Sequence, residues 1–206
     1  MRIKFCGITN KEDADHAVNL GVDALGFIFH KDSPRCVTQD VVQEIVYFLP
    51  PFVTTVGVFV NLESDEVNDI MQTCRLDVAQ LHGDESPEYC MQIKSRKIKA
   101  FRVSDQQDIK LIGRYQGVVS AALLDTKDEK HYGGTGKVFD WGLALEAQLY
   151  EMPLILSGGL SGENIVKAIR LVNPHGIDVS SGIECEPGKK DYQKMHDFIS
   201  SVHSLE

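Results

Sequence analysis

A cysteine near the start of the chain and an aspartate past its middle are the side chains best suited to acid and base chemistry. Cys6 closes the alternating run Arg2-Ile3-Lys4-Phe5-Cys6, and Gly7 follows at once. Asp125 ends the apolar run Val118 to Leu124, ahead of Lys127 to His131 and Gly133-Gly134-Thr135-Gly136. An uninterrupted apolar run suits a strand covered on both faces, which places the carboxyl at a strand's C-terminal end. The polar, glycine-rich stretch beyond reads as a mobile loop over a site, with Asp140 as the N-cap of the next helix. In isolation Asp125 would more readily be a turn cap, and Cys6 an inert core thiol. A thiol just before a helix N-terminus favours its thiolate and could serve as a base. Apolar neighbours and a bound phosphorylated anion would keep part of the Asp125 carboxyl protonated, as a general acid.

Two further stretches could hold an anion. Ser157-Gly158-Gly159-Leu160 and Val179-Ser180-Ser181-Gly182-Ile183-Glu184 offer backbone N–H groups, uncovered by bulky side chains, before helices. Gly158, Gly159, Ser180 and Ser181 are therefore candidate phosphate ligands, although tight turns that need glycine for their own geometry would look the same. Arg35, in Ser33-Pro34-Arg35, could grip a carboxylate with two prongs, or simply face solvent. His82 could bond a substrate or cap its own loop. Lys4 shares a face with Cys6, and Asp178 shares one with Ser180. A Lys4–Asp178 pair is expected between them, structural as readily as catalytic. Arg35, His82 and Asp178 complete the candidate substrate contacts.

These residues need a frame, and the chain supplies a repeating one. Strand-like runs at Arg2–Cys6, Ala24–Phe29, Val53–Val60, Val78–Leu81, Ile98–Val103, Val118–Leu124, Leu154–Leu156 and Gly176–Val179 alternate with helical patterns. The helices are expected at Glu12–Leu20, Gln39–Phe48, Ser64–Thr73, Pro87–Ile93, Asp105–Arg114, Asp140–Leu149, Gly162–Leu171 and Tyr192–Val202. Eight such units in 206 residues leave roughly 26 residues each, about the minimum for a strand and helix with short connections. Right-handed crossovers close eight parallel strands into a single-domain (β/α)8 TIM barrel, with its site at the C-terminal strand ends. An open doubly wound sheet is the alternative, but it usually carries G-x-G-x-x-G after its first strand, where this chain has Cys6-Gly7-Ile8-Thr9. In a barrel, Cys6, Arg35, His82, Asp125, Gly158 and Ser180 all fall on one rim.

The totals narrow the function classes. A net charge of −9 speaks against nucleic acid or an anionic membrane as the main partner, so an anionic ligand has to be caught locally. No apolar run nears the roughly 18 residues of a membrane span, and Met1 leads straight into strand-like sequence, so a cytoplasmic chain is expected. The five cysteines, at wide and unrelated spacings, suggest neither a disulfide framework nor a zinc site.

The assembled segments resemble the phosphoribosylanthranilate isomerase family from end to end. They are Lys4-Phe5-Cys6-Gly7-Ile8-Thr9, Ser33-Pro34-Arg35, Val56 to Asn61, Gln80-Leu81-His82-Gly83, Leu123-Leu124-Asp125-Thr126, Gly133 to Lys137, Leu156 to Leu160, Asp178 to Glu184 and Pro187 to Asp191. The chain departs at Cys36, where the family usually has an aromatic residue, which bears on packing beside Arg35. The resemblance implies an Amadori rearrangement in tryptophan biosynthesis, on a small-molecule substrate and without metal or cofactor. It implies Asp125 as the acid that opens the ribose ring and Cys6 as the base at C2. Arg35 would hold the anthranilate carboxylate and the two glycine turns the phosphate. Whether such an enzyme is a monomer or a homodimer is left open by the sequence. A related phosphosugar barrel would carry lysine with glutamate, or a metal with paired aspartates, at these strand ends. A non-enzymatic sugar-phosphate binder would need the turns but not the acid and base.

Overall fold

The computed structural model describes residues 1–126 and 140–205. Eight parallel strands close into a barrel in sequence order: β1 (Arg2–Cys6), β2 (Ala24–Ile28), β3 (Thr54–Phe59), β4 (Val78–Leu81), β5 (Arg96–Val103), β6 (Ala121–Thr126), β7 (Leu154–Leu156) and β8 (Gly176–Val179). The ring closes where β8 pairs with β1, Lys4 lying beside Asp178. Helices α1 (Lys11–Asn19), α2 (Gln39–Phe48), α3 (Ser64–Thr73), α4 (Pro87–Cys90), α5 (Gln106–Lys110), α6 (Gly142–Ala147), α7 (Ile165–Val172) and α8 (Tyr192–His203) follow their strands in turn.

Alternation along each strand divides the side chains between two layers. On β1, Ile3 and Phe5 face the helices, and Phe5 meets Phe198 of α8 edge-on at 6.0 Å. Both rings are fully buried, each contributing about 2 kcal/mol of apolar transfer. Lys4 and Cys6 point the other way, and a Cβ added to Gly26 of β2 would lie 2.8 Å from Cys6 Sγ and 3.0 Å from Lys4 Cε. Glycine in β2 thus makes room inside the barrel for the side chains of Lys4 and Cys6. Side-chain caps start several of the helices: Asn10 accepts from Asp13 N, Ser86 from Tyr89 N, and Asp105 forms a capping box with Asp108.

The expected order of elements is present, and the departures are local. Helix α4 stops at Cys90, where bonding tightens to i→i+3 from Gln92 to Tyr89 and from Ile93 to Cys90. Helix α5 continues as a 3-10 turn over Leu111–Tyr115, so β6 starts at Ala121 rather than Val118 and runs through Asp125. The cap of α6 is Trp141, one residue after Asp140, whose carboxylate still accepts from Gly142 N at 2.9 Å. The stretch Lys127 to Gly136, expected as a mobile loop, lies outside the described residues. After β8 the chain makes a 3-10 turn, Ser181–Ile183, and a small antiparallel hairpin, β9 (Glu184–Glu186) with β10 (Lys189–Lys190), neither of which was expected. No helix among the described residues is long and apolar enough to cross a membrane.

Candidate functional site at the C-terminal rim

One cleft opens at the C-terminal ends of the strands, and all nine residues singled out from the sequence border it. Cys6 comes from β1, His82 follows β4, and Asp125 lies on β6. Gly158 and Gly159 follow β7, Asp178 sits on β8, Ser180 and Ser181 follow it, and Arg35 comes from the loop after β2. Around the ring, β7 and β8 stand between the strands of Asp125 and Cys6, so the two are not diametrically opposite. The glycine turns occupy the arc between them.

Cys6 is 6% exposed, and burial holds its thiol above the ordinary value, with the Lys4 ammonium opposing that shift. This corrects the expectation of a thiolate favoured by a helix start. Gly7 to Asn10 separate Cys6 from α1, and Gly7 N and Ile8 N are spent on Gly26 O at 2.9 and 3.0 Å. Gly7 has φ +74°, and a Cβ there would lie 2.6 Å from Arg35 Cδ, so glycine lets the arginine stem cross the end of β1.

Asp125 is held at both oxygens. Thr126 N donates to Oδ1 at 2.7 Å, and His82 Nε2 lies 3.2 Å from Oδ2. His82 Nδ1 is in turn 2.9 Å from Gln80 Nε2. Gly158 presses on this group: with φ +82°, its Cβ would fall 2.4 Å from Thr126 Oγ1 and 3.1 Å from Asp125 Oδ1.

The charged partners are buried and paired. Lys4 Nζ donates to Asp178 Oδ1 at 2.8 Å, as expected, and Ser157 Oγ donates to Asp178 Oδ2 at 3.4 Å. Burial pulls the Lys4 ammonium down, but Asp178 and Cys6 outweigh it and leave Lys4 above its ordinary value. Arg35 differs from expectation. Its Nε and Nη2 donate to the Glu184 carboxylate at 2.9 and 2.7 Å, so the two-pronged grip is already taken, with Nη1 outside it. Lys190 Nζ joins the same carboxylate at 2.8 Å and donates to Cys6 O at 2.6 Å. Burial pushes the Glu184 carboxyl upward, yet Arg35 and Lys190 prevail and hold it below the ordinary range.

The two glycine turns are built as one surface. A Cβ on Gly182 would come within 1.9 Å of Leu160 O, so the turn after β8 packs directly on the turn after β7. Asn164 braces the latter, accepting from Ser161 N at 2.9 Å and donating to Gly159 O at 2.8 Å. The turn after β8 starts a 3-10 segment and not the α-helix expected there. Ser180 Oγ is buried and has no partner among the described residues. A set of buried donors with a paired acid and thiol on either side is suited to a phosphorylated substrate that exchanges protons. Among the described residues no group of three His, Cys, Asp or Glu could hold a metal ion.

A family model described as N-(5'phosphoribosyl)anthranilate (PRA) isomerase matches residues 3–201. The chain belongs to that family. It is an isomerase with a TIM-barrel fold. An N-(5'-phosphoribosyl)anthranilate isomerase of Geobacter metallireducens is 50% identical over 199 residues, covering 97% of each chain. The crystal structure of the Thermotoga maritima enzyme superposes with a TM-score of 0.93 at 42% identity, over 100% of both chains. A family structure in complex with reduced 1-(o-carboxyphenylamino)-1-deoxyribulose 5-phosphate matches with a TM-score of 0.90 at 40% identity, again over 100% of both.

For a phosphoribosylanthranilate isomerase, three residues around the cleft were missed as site residues by reading the sequence: Gln80, Glu184 and Lys190. Gln80 carried a usable signal, since it stands two positions before His82 on a strand and so shares its inward face. Glu184 and Lys190 lay in segments that carry the family resemblance, but nothing in the sequence pointed to their meeting Arg35, because their hairpin is too short to show a strand pattern.

Proposed function

We propose that the chain converts N-(5-phosphoribosyl)anthranilate to 1-(2-carboxyphenylamino)-1-deoxyribulose 5-phosphate, with Asp125 as general acid and Cys6 as general base. Asp125 gives its proton to the ribose ring oxygen, and the C1–O bond breaks to leave a Schiff base. Cys6 then takes the proton from C2, and the resulting enol becomes the ketone. Burial of Cys6 makes its thiolate scarce but strongly basic, and the nearby Lys4 is what makes its formation feasible. The turns at Gly158, Gly159, Ser180 and Ser181 bind the phosphate, and Arg35 meets the anthranilate carboxylate through Nη1, oriented by Glu184. His82 and Asp178 line the space around the sugar.

The observation that carries this reading is the arrangement on a single arc. The phosphate turns follow β7 and β8, while the acid and the thiol come from the strands on either side of that pair. A pinned sugar phosphate therefore presents its reacting carbons between donor and acceptor. No cofactor enters these steps. The net charge of −9 supports a small-molecule ligand over nucleic acid, and the setting proposed is cytoplasmic, for a chain working as a monomer or a homodimer.

The test is turnover, followed as loss of substrate fluorescence in chelator-treated protein. Asp125→Asn and Cys6→Ser are each expected to lower kcat by about 10²-fold or more while inorganic phosphate still binds. Unchanged turnover in either variant would remove that residue's role. Phosphate binding with no turnover in the unaltered protein would leave a sugar-phosphate binder instead.

A further inference from the structure

The acid in this cleft belongs to a chain of three side chains, and its far end is unfinished. Gln80, His82 and Asp125 are 1%, 6% and 5% exposed. Gln80 Nε2 lies 2.9 Å from His82 Nδ1, and His82 Nε2 lies 3.2 Å from Asp125 Oδ2. An amide NH2 only donates, so His82 Nδ1 is the acceptor and Nε2 carries the hydrogen that points at Asp125. In this arrangement Asp125 is the carboxylate, with nothing to give. Gln80 Oε1 is buried and has no partner among the described residues.

A half-turn of the Gln80 amide reverses every role. Oε1 then takes the place of Nε2 and accepts from His82 Nδ1–H. The histidine can now share a second proton with Asp125, through the contact between Nε2 and Oδ2. Either way one end of the amide is bonded and the other is not, so the two orientations differ little in hydrogen-bond count. They differ by one proton on the His82–Asp125 pair.

We propose that Gln80 is a positioning residue whose buried amide turns over to match the proton count of the His82–Asp125 pair, so that Asp125 can be loaded before it protonates the substrate. The inference rests on the reading of Asp125 as the acid. Uptake of one proton makes His82 Nδ1 a donor and brings Oε1 to it. That proton leaves from Asp125 to the ring oxygen, and a return to the one-proton form restores the first orientation.

The other ionisable groups around the pair are largely committed. Lys4 of β1 is matched with Asp178 of β8 at 2.8 Å, and Arg102, beside Asp125 in the register of β5 with β6, with Asp84 at 2.6 Å. Lys99 of β5 meets Glu85 of the loop after β4 at 3.2 Å, and Arg35 meets Glu184 at 2.7 Å. His30 and Cys6 also border the cleft, and burial pushes the Cys6 thiol up. The His82–Asp125 pair, with an amide partner able to face either way, is the adaptable element.

The test follows His82 ring nitrogens and Gln80 side-chain amide signals by 15N NMR across pH in the unaltered protein. His82 Nδ1 should pass from acceptor at high pH to N–H at low pH, and the Gln80 amide signals should move at that same pH. Gln80→Glu presents acceptors only, so Nδ1–H should persist to higher pH, and the alkaline fall of kcat should move up by about one pH unit or more with KM within about twofold. Gln80 signals that stay fixed while His82 titrates, or an alkaline limb unmoved in Gln80→Glu, would overturn the inference. Should the variant not fold, the wild-type spectra decide alone. Asp125→Asn separates the two layers: if it retains turnover, the acid assignment fails, whereas its loss of turnover with an indifferent Gln80 sinks only the role of the amide.

Discussion

Replacing Lys4 by methionine keeps the length of the side chain and removes one charge from the barrel interior. The partner left behind is Asp178, and the two side chains are only 7% and 5% exposed. At 2.8 Å and an effective dielectric of 20, the direct attraction is about 6 kcal/mol, most of it offset by the desolvation of both ions. Stripping one partner from such a pair leaves an uncompensated carboxylate and costs about 3–5 kcal/mol, a large share of a domain's usual stability. Urea unfolding followed by the fluorescence of Trp141, the single tryptophan and a buried one, reads this directly. Lys4→Met combined with Asp178→Asn should recover a substantial part of the loss, since no buried charge is then unmatched. The same change acts on the thiol. Lys4 opposes the burial that raises Cys6, so Lys4→Met should push the thiol still higher and lower kcat at neutral pH. Thiolate absorbance, with Cys6→Ser as blank, measures that shift. The folded Lys4 lies above its unfolded value, so its contribution is fully present below about pH 10.4 and fades as pH rises through the folded value. A cost below about 1 kcal/mol, or a thiol titration indifferent to Lys4, would refute the reasoning.

The Glu184 carboxyl is held below its ordinary range, so its stabilisation is present above about pH 4.3 and lost as pH falls toward the folded value. Glu184→Gln should therefore destabilise the protein at neutral pH and flatten its acid unfolding, while KM rises as Arg35 loses its brace; an acid limb identical to wild type would contradict this. Gly182→Ala drives a Cβ to 1.9 Å from the Leu160 carbonyl and should weaken phosphate binding by about tenfold or more, as calorimetry with inorganic phosphate would show. Gly162→Ala, where the nearest atom is Phe198 N at 3.9 Å, should bind phosphate like wild type. If backbone N–H groups and not exposed cations meet the phosphate, as proposed, KM should depend only weakly on added salt; a steep salt dependence in initial rates would point to charged side chains instead.

What the sequence revealed, and what it withheld, follows from how each residue is placed. The eight strands were legible because β1 alternates polar and apolar side chains between its two faces and β6 opens with the apolar run Ala121 to Leu124, buried on both faces. Most residues at the rim were legible because they sit at or just past the end of such a pattern, as Cys6 does before Gly7 and Ser157 does after Leu156, whereas Arg35 stands well into the loop after β2. The Lys4–Asp178 pair could be anticipated because closing the ring fixes which strands meet and alternation fixes which faces. The Arg35–Glu184–Lys190 cluster could not, since it joins a loop after β2 to a hairpin after β8 and has no periodic signature. The protonation of Cys6 was misjudged for a related reason. Adjacency to a helix is a property of the chain, whereas the burial that dominates the thiol is a property of the closed barrel.

The pairing of charges explains how an acidic protein can hold an anionic substrate without a basic surface. Around the cleft, Lys4 is neutralised by Asp178, and Arg35 shares Glu184 with Lys190. If these cations were bare they would attract phosphate anywhere on the rim and blur the position of the sugar. Committed to carboxylates, they act at short range: Lys4 and, less strongly, Lys190 on the Cys6 thiol, with Lys190 also donating to the Cys6 and Ser180 carbonyls, the latter at 3.4 Å. Lys190 thereby ties the strand of the thiol to the turn after β8. The backbone at Cys6 is thus fixed relative to the turn after β8 by a buried ammonium bonded to both, and on the proposed reading the anion is left to the oriented N–H groups of two turns that pack together at Gly182.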